Sequence, residues 1–426
     1  MSLRSTPRSI RPSSAAPSWT RAWWVRVLGV YALARVFSAL VLLVVAHSQE
    51  ANGWTPASPS YLQFAGLMWD GSWYRQIAET GYPSRLPIGA DGAVQQNAWA
   101  FYPLFPLLAR GVMAVTGAPW QTAAPLLALA LGAAAVLVIY RAIEEGAPRA
   151  VAIRPGLPLA TVALVAFFPT AVVLQVAYTE SLALLLIASA LLLLIRRRYL
   201  PAALVVLALG CTRAVALPMA VVVIVHALSR WRTARRERGA TGATGTAAGA
   251  RRDVVGQVAT LGAAVAAGFM WQVVCAVVTG RPDGYFQTQA AWRARPDVVP
   301  LVPWLDVARW LVGGWAPVLL LAVLAVVVGL LTSSPARRLG PELLAWPIAY
   351  LTYLVGVIEP GTSLARFLLL AFPLGAVTAG MVAGNIRGTV VRRRAWLVAV
   401  IVVMSLLQVG WVWELWRLTP PSGWPP

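Results

Sequence analysis

The chain has 426 residues, of which 59% are hydrophobic and 12% are charged. A soluble globular chain carries about 25% charged residues, so the composition and the recurring long apolar runs exclude an ordinary soluble protein. The formal net charge is +20, and all 35 basic residues are arginines, which cluster between the apolar runs. This pattern is typical of cytoplasmic loops, so we expect an all-α polytopic integral membrane protein with membrane lipids, and no nucleic acid, as partners.

The cysteines and histidines give no sign of a disulfide or a metal site. Cys211 and Cys275 both lie inside apolar runs, and the sequence has no CxxC pattern. His47 and His226 lie at helix ends with no partner at ligand spacing. The sequence therefore predicts no metal and no cofactor.

The start of the chain predicts its orientation. Residues 1–22 form a basic tail, which the positive-inside rule places in the cytoplasm. The apolar run after it is long, lacks a small-residue cleavage signal and carries Arg35, which favours a retained first helix over a signal peptide. Residues 47–120 should then form an extracytoplasmic loop with interfacial helices.

This loop holds the most polar and aromatic passage between two apolar blocks. Its spacing predicts a helix over 69–78, with Trp69 and Trp73 one turn apart, and Asp70 and Tyr74 one turn apart beside them. An acid among aromatic rings next to a membrane is a candidate general base. The alternative is an interfacial helix whose rings lie at headgroup level and whose acid is only solvated.

The remaining apolar runs predict the rest of the topology. Spans are predicted at 23–46, 121–140, 157–177, 182–195, 254–278, 307–331, 343–358, 367–384 and 396–416. Residues 199–228 are too short for two full spans and predict a hairpin of two short helices, which makes about 11 membrane segments. Arg213 at its tip is a functional candidate, or else an arginine that snorkels to the interface.

The connecting segments complete the predicted domain organisation. Residues 23–416 form one transmembrane domain, interrupted by a flexible cytoplasmic linker at 229–252 because this segment is rich in Arg, Gly, Ala and Thr. A second outer loop covers 279–306. Residues 417–426 form an extracytoplasmic tail.

This topology collects acids, arginines and aromatic residues on the outer face. The acids are Asp70, Glu79, Asp91, Glu180, Asp283, Asp297, Asp306 and Glu359, and the arginines are Arg75, Arg213, Arg293 and Arg366. A guanidinium group matches phosphate oxygens, and a carboxylate can take a hydroxyl proton. These residue types suit a substrate that carries a phosphate and a hydroxylated group. A transporter could contain the same residue types, but many transporters are built from paired repeats, and no such repeat is evident in the sequence.

Several motifs, in this order, resemble the PIG-V family. They are Trp69-Asp70-Gly71-x-Trp73-Tyr74-x-x-Ile77-Ala78-x-x-Gly81-Tyr82, Ala100-Phe101-Tyr102-Pro103-Leu104-Phe105-Pro106, Phe167-Phe168-Pro169, Ala177-Tyr178-Thr179-Glu180-Ser181, Thr212-Arg213, Gln289 with Trp292, and Arg366-Phe367 with Phe372-Pro373. Eukaryotic members of this family are the second mannosyltransferase of GPI-anchor synthesis, and the family has bacterial relatives. The resemblance covers most of the chain between Trp69 and Pro373.

The resemblance implies a GT-C type glycosyltransferase with its site at the extracytoplasmic face. The donor would be a polyprenyl-phosphate-linked sugar, usually mannose, and the acceptor a lipid, glycan or protein. Such enzymes place an essential acid in the first outer loop, where Asp70 lies. The alternatives are a lipid-linked sugar transporter or flippase, and a non-catalytic membrane partner of a transferase.

Under this hypothesis the transfer inverts the anomeric carbon, with Asp70 as general base. The predicted substrate-binding residues are Trp69, Trp73, Tyr74, Tyr178, Glu180, Arg213, Gln289, Trp292 and Arg366. Arg213 and Arg366 would hold the donor phosphate, while Trp73 and Tyr74 would frame the sugar. Glu180 would orient an acceptor hydroxyl or hold an arginine, unless it only stabilises a helix start.

Overall fold

A computed structural model of the chain describes residues 22–241, 247–293, 299–382 and 388–419. In these ranges the regular elements are helices, and the one isolated β-bridge pairs Ile88 with Val94. The predicted tail at 1–22 lies outside the described residues except for its last residue, and the tail at 417–426 lies outside from residue 420 onward.

The described α-helices are numbered in chain order. The first nine are α1 (Trp23–His47), α2 (Tyr61–Leu67), α3 (Asp70–Thr80), α4 (Leu104–Thr116), α5 (Trp120–Gly146), α6 (Pro148–Ile153), α7 (Leu157–Ala166), α8 (Glu180–Ile195) and α9 (Tyr199–Gly210). The others described are α10 (Leu217–Thr241), α11 (Ala247–Thr279), α12 (Gly284–Arg293), α13 (Val302–Val312), α14 (Ala316–Thr332), α15 (Ser334–Arg337), α16 (Pro341–Val357), α17 (Leu364–Phe367), α18 (Pro373–Gly380) and α19 (Gly388–Trp411).

The long apolar helices make this a multi-pass membrane protein. Five helical stretches are long and apolar enough to span a bilayer within the described ranges: Trp23–His47, Trp120–Gly146, Arg251–Thr279, Val302–Arg337 and Val390–Trp416. Shorter apolar helices of 10–17 residues, such as α8, α9 and α16, pack among them. The count of about 11 membrane segments stays a prediction.

The segment 229–252, predicted to be a flexible cytoplasmic linker, is helical where the structure describes it, and its flexibility and its side of the membrane stay predictions. Helix α10 continues through it to Thr241, and α11 begins at Ala247. Residues 242–246 lie outside the described part of the chain. Alanine and arginine are strong helix formers, so the apolar helices on both sides extend into a segment that composition alone assigned to a linker.

Hydrogen bonds to backbone carbonyls bring together the two segments that carry Asp70 and Glu180. The Trp120 indole N–H donates to the carbonyl of Gly66 in α2 at 2.8 Å, and the Ala177 N–H donates to the carbonyl of Ala65 at 2.9 Å. Arg35, buried within α1, donates to the carbonyls of Ala166 and Ala171, at 2.6 Å for the first. The end of α7 and the start of α8 are therefore fixed against α1, α2 and α5.

The crossing of α2 and α3 leaves no room for a side chain at Gly71. A methyl group there would lie 2.8 Å from the Gly66 carbonyl oxygen. We expect Gly71→Ala to destabilise the protein by about 1–3 kcal/mol, because one of the two backbones must shift. Thermal unfolding in detergent would measure this as a lower Tm. Gly29→Ala is the control, since a methyl group at that position in α1 meets nothing within 4 Å; equal Tm values for both variants would contradict this packing.

Candidate active site

A cavity of about 310 Å³ opens beside the N-terminus of α3. Six parts of the chain contribute to its wall: α3, the residues before α4, the tip of the hairpin between α9 and α10, α11, α12, and α16 with α17. The lining residues include Asp70, Tyr74, Phe101, Tyr102, Thr212, Arg213, Gln272, Tyr285, Gln289, Arg293, Tyr350, Tyr353, Arg366 and Phe367. The cavity is therefore lined mainly by aromatic, amide and guanidinium groups around one carboxylate.

Asp70 belongs to a cluster of two carboxylates and two guanidinium groups. Arg366 Nη1 lies 2.7 Å from Asp70 Oδ2 and 3.1 Å from Glu180 Oε1, and Arg213 Nη1 lies 2.6 Å from the same Glu180 oxygen. The Glu180 side chain is fully buried, while those of Asp70, Arg213 and Arg366 are 16%, 13% and 8% exposed. The four groups are balanced in formal charge, which is what allows them to be buried together.

The backbone before Asp70 is strained. Trp69 has φ +54° and ψ −124°, a conformation that a bulky side chain rarely adopts, and α3 begins at the next residue. Such a residue costs on the order of 1–3 kcal/mol and persists only when its surroundings hold it. The Trp69 indole N–H donates to the carbonyl of Trp416 at 2.7 Å, and its carbonyl accepts from the Ser72 hydroxyl at 2.7 Å. These contacts fix the direction in which Asp70 enters the cavity wall.

Glu180 holds both arginines from behind the wall. It is the first residue of α8, so its carboxylate lies at the positive end of the helix dipole. Its Oε1 accepts from Arg213 and Arg366, while Oε2 has no hydrogen-bond partner within the described residues. Glu180 is therefore a buried anchor for both arginines. Its removal would leave Arg213 and Arg366 without their shared hydrogen-bond acceptor.

Arg366 is fixed by contacts on several sides. Its guanidinium carbon lies 5.0 Å from the centre of the Tyr178 ring and 5.2 Å from that of Phe367, and Nη2 donates to the Ser363 hydroxyl at 3.2 Å. Burial alone would lower the pKa of Arg366, but the carboxylates of Asp70 and Glu180 raise this pKa above its ordinary value. Arg366 is therefore a permanent cation in the site.

Tyrosine hydroxyls form a second polar group along the cavity. The Tyr102 and Tyr285 hydroxyls lie 3.2 Å apart, and the Gln289 amide donates to the Tyr285 hydroxyl at 3.1 Å. Burial and the Asp70 carboxylate raise the pKa of Tyr74 above its ordinary value, so its hydroxyl keeps its proton. The wall thus offers neutral hydrogen-bond donors and aromatic ring faces next to the charged cluster. This combination is suited to binding a ring that carries hydroxyl groups.

The predicted site residues fall into three groups. Asp70, Tyr74, Arg213, Gln289 and Arg366 line the cavity. Glu180 and Tyr178 contact the arginines from behind, and Tyr178 also accepts the Asp70 backbone N–H at 3.3 Å.

The three predicted tryptophans form the third group, which packs outside the lining. The ring centres of Trp69 and Trp54 lie 5.3 Å apart. Trp73 stacks on Phe101 with 5.7 Å between ring centres and meets Trp292 edge to face at 5.3 Å. Because Trp69 precedes α3 instead of starting it, Trp69 and Trp73 do not share a helix face as predicted. Trp73 supports Phe101, and Phe101 takes the lining position that the sequence assigned to Trp73.

Several residues that line the cavity are not among the predicted site residues. Tyr285 and Arg293 lie one turn on either side of Gln289 in α12, and all three line the cavity. Their spacing of four residues was a usable signal, because it places all three on one helix face. Tyr350 and Tyr353 lie in an apolar run of α16, where no polar pattern marks them.

No protein-family model matches the chain, and no curated protein matches it. The resemblance to the PIG-V family therefore stays a prediction. In the described ranges, no group of three or more His, Cys, Asp or Glu side chains could hold a metal ion.

The fold is similar to solved structures of the oligosaccharyltransferase AglB from Archaeoglobus fulgidus. The structure tethered with an acceptor peptide and the complex with an inhibitory peptide and dolichol-phosphate both give a TM-score of 0.50 at 14% identity over 96% of this chain. The apo structure gives 0.50 at 14% identity over 95%. The chain covers 57% of the length of these proteins. At this identity the similarity concerns the fold alone.

Proposed function

We propose that this protein is an inverting membrane glycosyltransferase that transfers a sugar from a polyprenyl-phosphate donor to a hydroxyl acceptor. The observation that carries the proposal is the junction of Asp70 and Arg366 in the wall of an aromatic cavity. It pairs an acid able to take a proton with a cation able to hold a phosphate. The GT-C type fold supports the same class of reaction, and one of the matched AglB structures holds dolichol-phosphate.

In the proposed reaction, Asp70 takes the proton of the acceptor hydroxyl. The hydroxyl oxygen attacks the anomeric carbon from the face opposite the phosphate, and the bond between that carbon and the phosphate oxygen breaks. Polyprenyl phosphate leaves with the electron pair. Tyr74, Tyr102 and Tyr285 would hold the sugar hydroxyls, and positioning would supply much of the rate.

Donor binding would also free Asp70 from its present partner. Arg366 Nη1 lies 2.7 Å from Asp70 Oδ2. A donor phosphate beside Arg366 and Arg213 would compete for the same guanidinium donors. The Asp70 carboxylate would thus become available to the acceptor hydroxyl when the donor is in place.

Mannose is the sugar that the resemblance to the PIG-V family implies, and the arginine distribution favours an extracytoplasmic site. The test is the purified chain in liposomes with radiolabelled polyprenyl-phosphate-mannose and separate lipid, glycan and peptide acceptors. A labelled product with a new glycosidic bond supports the proposal. Donor that crosses the bilayer without such a product would instead identify a transporter, and no turnover by the chain alone would favour a non-catalytic partner.

Arg213 should act mainly on donor binding. Its guanidinium is bonded to Glu180 and Thr179 at 2.6 and 3.0 Å and faces the cavity. Arg213→Ala should raise the KM for the donor about 10- to 100-fold, with a smaller change in kcat. This factor corresponds to the free energy of one hydrogen bond to a charged group. Arg75→Ala is the control, because Arg75 forms an exposed pair with Glu79 in α3. An unchanged donor KM would remove Arg213 from the phosphate role.

A further inference from the structure

A second cavity, of about 390 Å³, lies at the other end of the helices that line the candidate active site. Along α10 it is lined by His226 and Arg230, whereas Arg213, just before the same helix, lines the first cavity. Seventeen residues separate Arg213 from Arg230 in sequence, and a rise of about 1.5 Å per helical residue places the two cavities roughly 20–25 Å apart along that direction. The two cavities share no lining residue, so they are separate sites.

Four arginines converge on this second cavity from four parts of the chain. They are Arg149 in α6, Arg197 between α8 and α9, Arg230 in α10, and Arg338 before α16. None of them lies within 4 Å of a carboxylate oxygen anywhere in the described residues. The cavity thus brings together four cations that the fold itself does not neutralise.

The two carboxylates in the cavity wall are already engaged. Glu145 accepts from Arg196 Nε and Nη2 at 2.8 and 2.5 Å. Glu342 Oε1 lies 2.6 Å from His226 Nδ1 in a buried pair, and His226 Nε2 lies 3.2 Å from the Tyr199 hydroxyl. These acids are therefore not available as counter-ions for the four arginines.

Two further features point to a bound anion. The Nε of Arg230 is buried and lacks a hydrogen-bond partner in the part of the chain that the structure describes. The N-terminus of α16, a helix of 17 residues, also lines the cavity, and its dipole adds positive potential there. Gly340, the residue before this helix, packs closely on Gly146. A methyl group at position 340 would lie 2.2 Å from the Gly146 carbonyl oxygen.

We infer that this cavity is a binding site for a phosphate-bearing anion, separate from the site of transfer. Arginine forks match phosphate oxygens, and here four of them from separate segments line one cavity. Two sources carry this chemistry: the headgroup of an anionic phospholipid, or free phosphate from the aqueous side. In the proposed orientation the cavity opens at the cytoplasmic end, where both are present.

The test measures thermal stabilisation of the full chain in detergent by added phosphatidylglycerol, phosphatidylcholine or inorganic phosphate. The cavity variant is Arg230→Gln with Arg338→Gln, and the control is Arg232→Gln with Arg236→Gln, two exposed arginines of α10 with the same charge loss. We expect the wild type and the control to be stabilised, and the cavity variant to bind about tenfold more weakly.

Stabilisation by phosphatidylglycerol alone assigns the site to a lipid headgroup, and stabilisation by inorganic phosphate assigns it to a free anion. If the first cavity variant does not fold, Arg149→Gln with Arg197→Gln replaces it, since both side chains are exposed. Equal loss of binding in the cavity and control variants would reduce the effect to general surface charge and overturn the inference. No stabilisation by any of the anions would overturn it as well.

Discussion

Replacing Asp70 with asparagine is expected to lower the transfer rate by about 10²- to 10⁴-fold, the usual contribution of a positioned general base. Asparagine keeps the shape of the side chain and can still accept a hydrogen bond from Arg366, but it cannot take the acceptor proton. Donor binding should persist, because Arg213 and Arg366 stay anchored to Glu180. The measurement is kcat for transfer together with donor Kd, each relative to the wild type.

The matched control for Asp70→Asn is Glu79→Gln. Glu79 lies in the same helix, but it is exposed and pairs with Arg75 at 2.8 Å outside the cavity. The substitution should leave turnover within about twofold of the wild type, because Glu79 does not line the cavity and an exposed ion pair contributes little to stability. Turnover of Asp70→Asn close to that of the wild type would remove Asp70 from the base role and return the transporter and partner alternatives to consideration.

Some of this site could be predicted from local sequence patterns. Asp70 and Tyr74 are four residues apart in a helix, so they share a face, and both line the cavity. The apolar block at 199–228 predicted a hairpin of two short helices with Arg213 at its tip. Arg213 does lie between α9 and α10, but α10 continues to Thr241, so only α9 is short. Patterns of this kind succeed because they depend on helix geometry and on length alone.

Other features depend on long-range packing and leave no local pattern. Arg366 joins Asp70 to Glu180 across 296 and 186 residues of sequence, a contact that no spacing rule encodes. Trp69 has a positive φ, which bulky residues disfavour. Backbone propensity therefore predicts the wrong conformation at the residue that orients the candidate base. Such local conflicts are expected at functional sites, where the surrounding structure holds what the sequence disfavours.

Glu180→Gln should show whether the charged cluster acts as one unit. Glutamine fits the same space but leaves Arg213 and Arg366 with only Asp70 as a counter-ion, so the buried cluster gains a net positive charge. Removing one partner of a buried ion pair costs about 3–5 kcal/mol, which we expect to appear as a lower Tm. Transfer should fall as well, because a neutral amide oxygen holds the two guanidinium groups more weakly than the carboxylate does.

A second substitution separates charge from packing. In Glu180→Gln with Arg213→Gln, the remaining Asp70 and Arg366 are again neutral as a pair, so part of the lost stability should return. The double variant should thus be more stable than the sum of the two single changes predicts, by about 1–3 kcal/mol. Additive losses would mean that the two side chains stabilise the fold independently. In that case Glu180 would only pack the start of α8, and the cluster would not couple the base to the phosphate site.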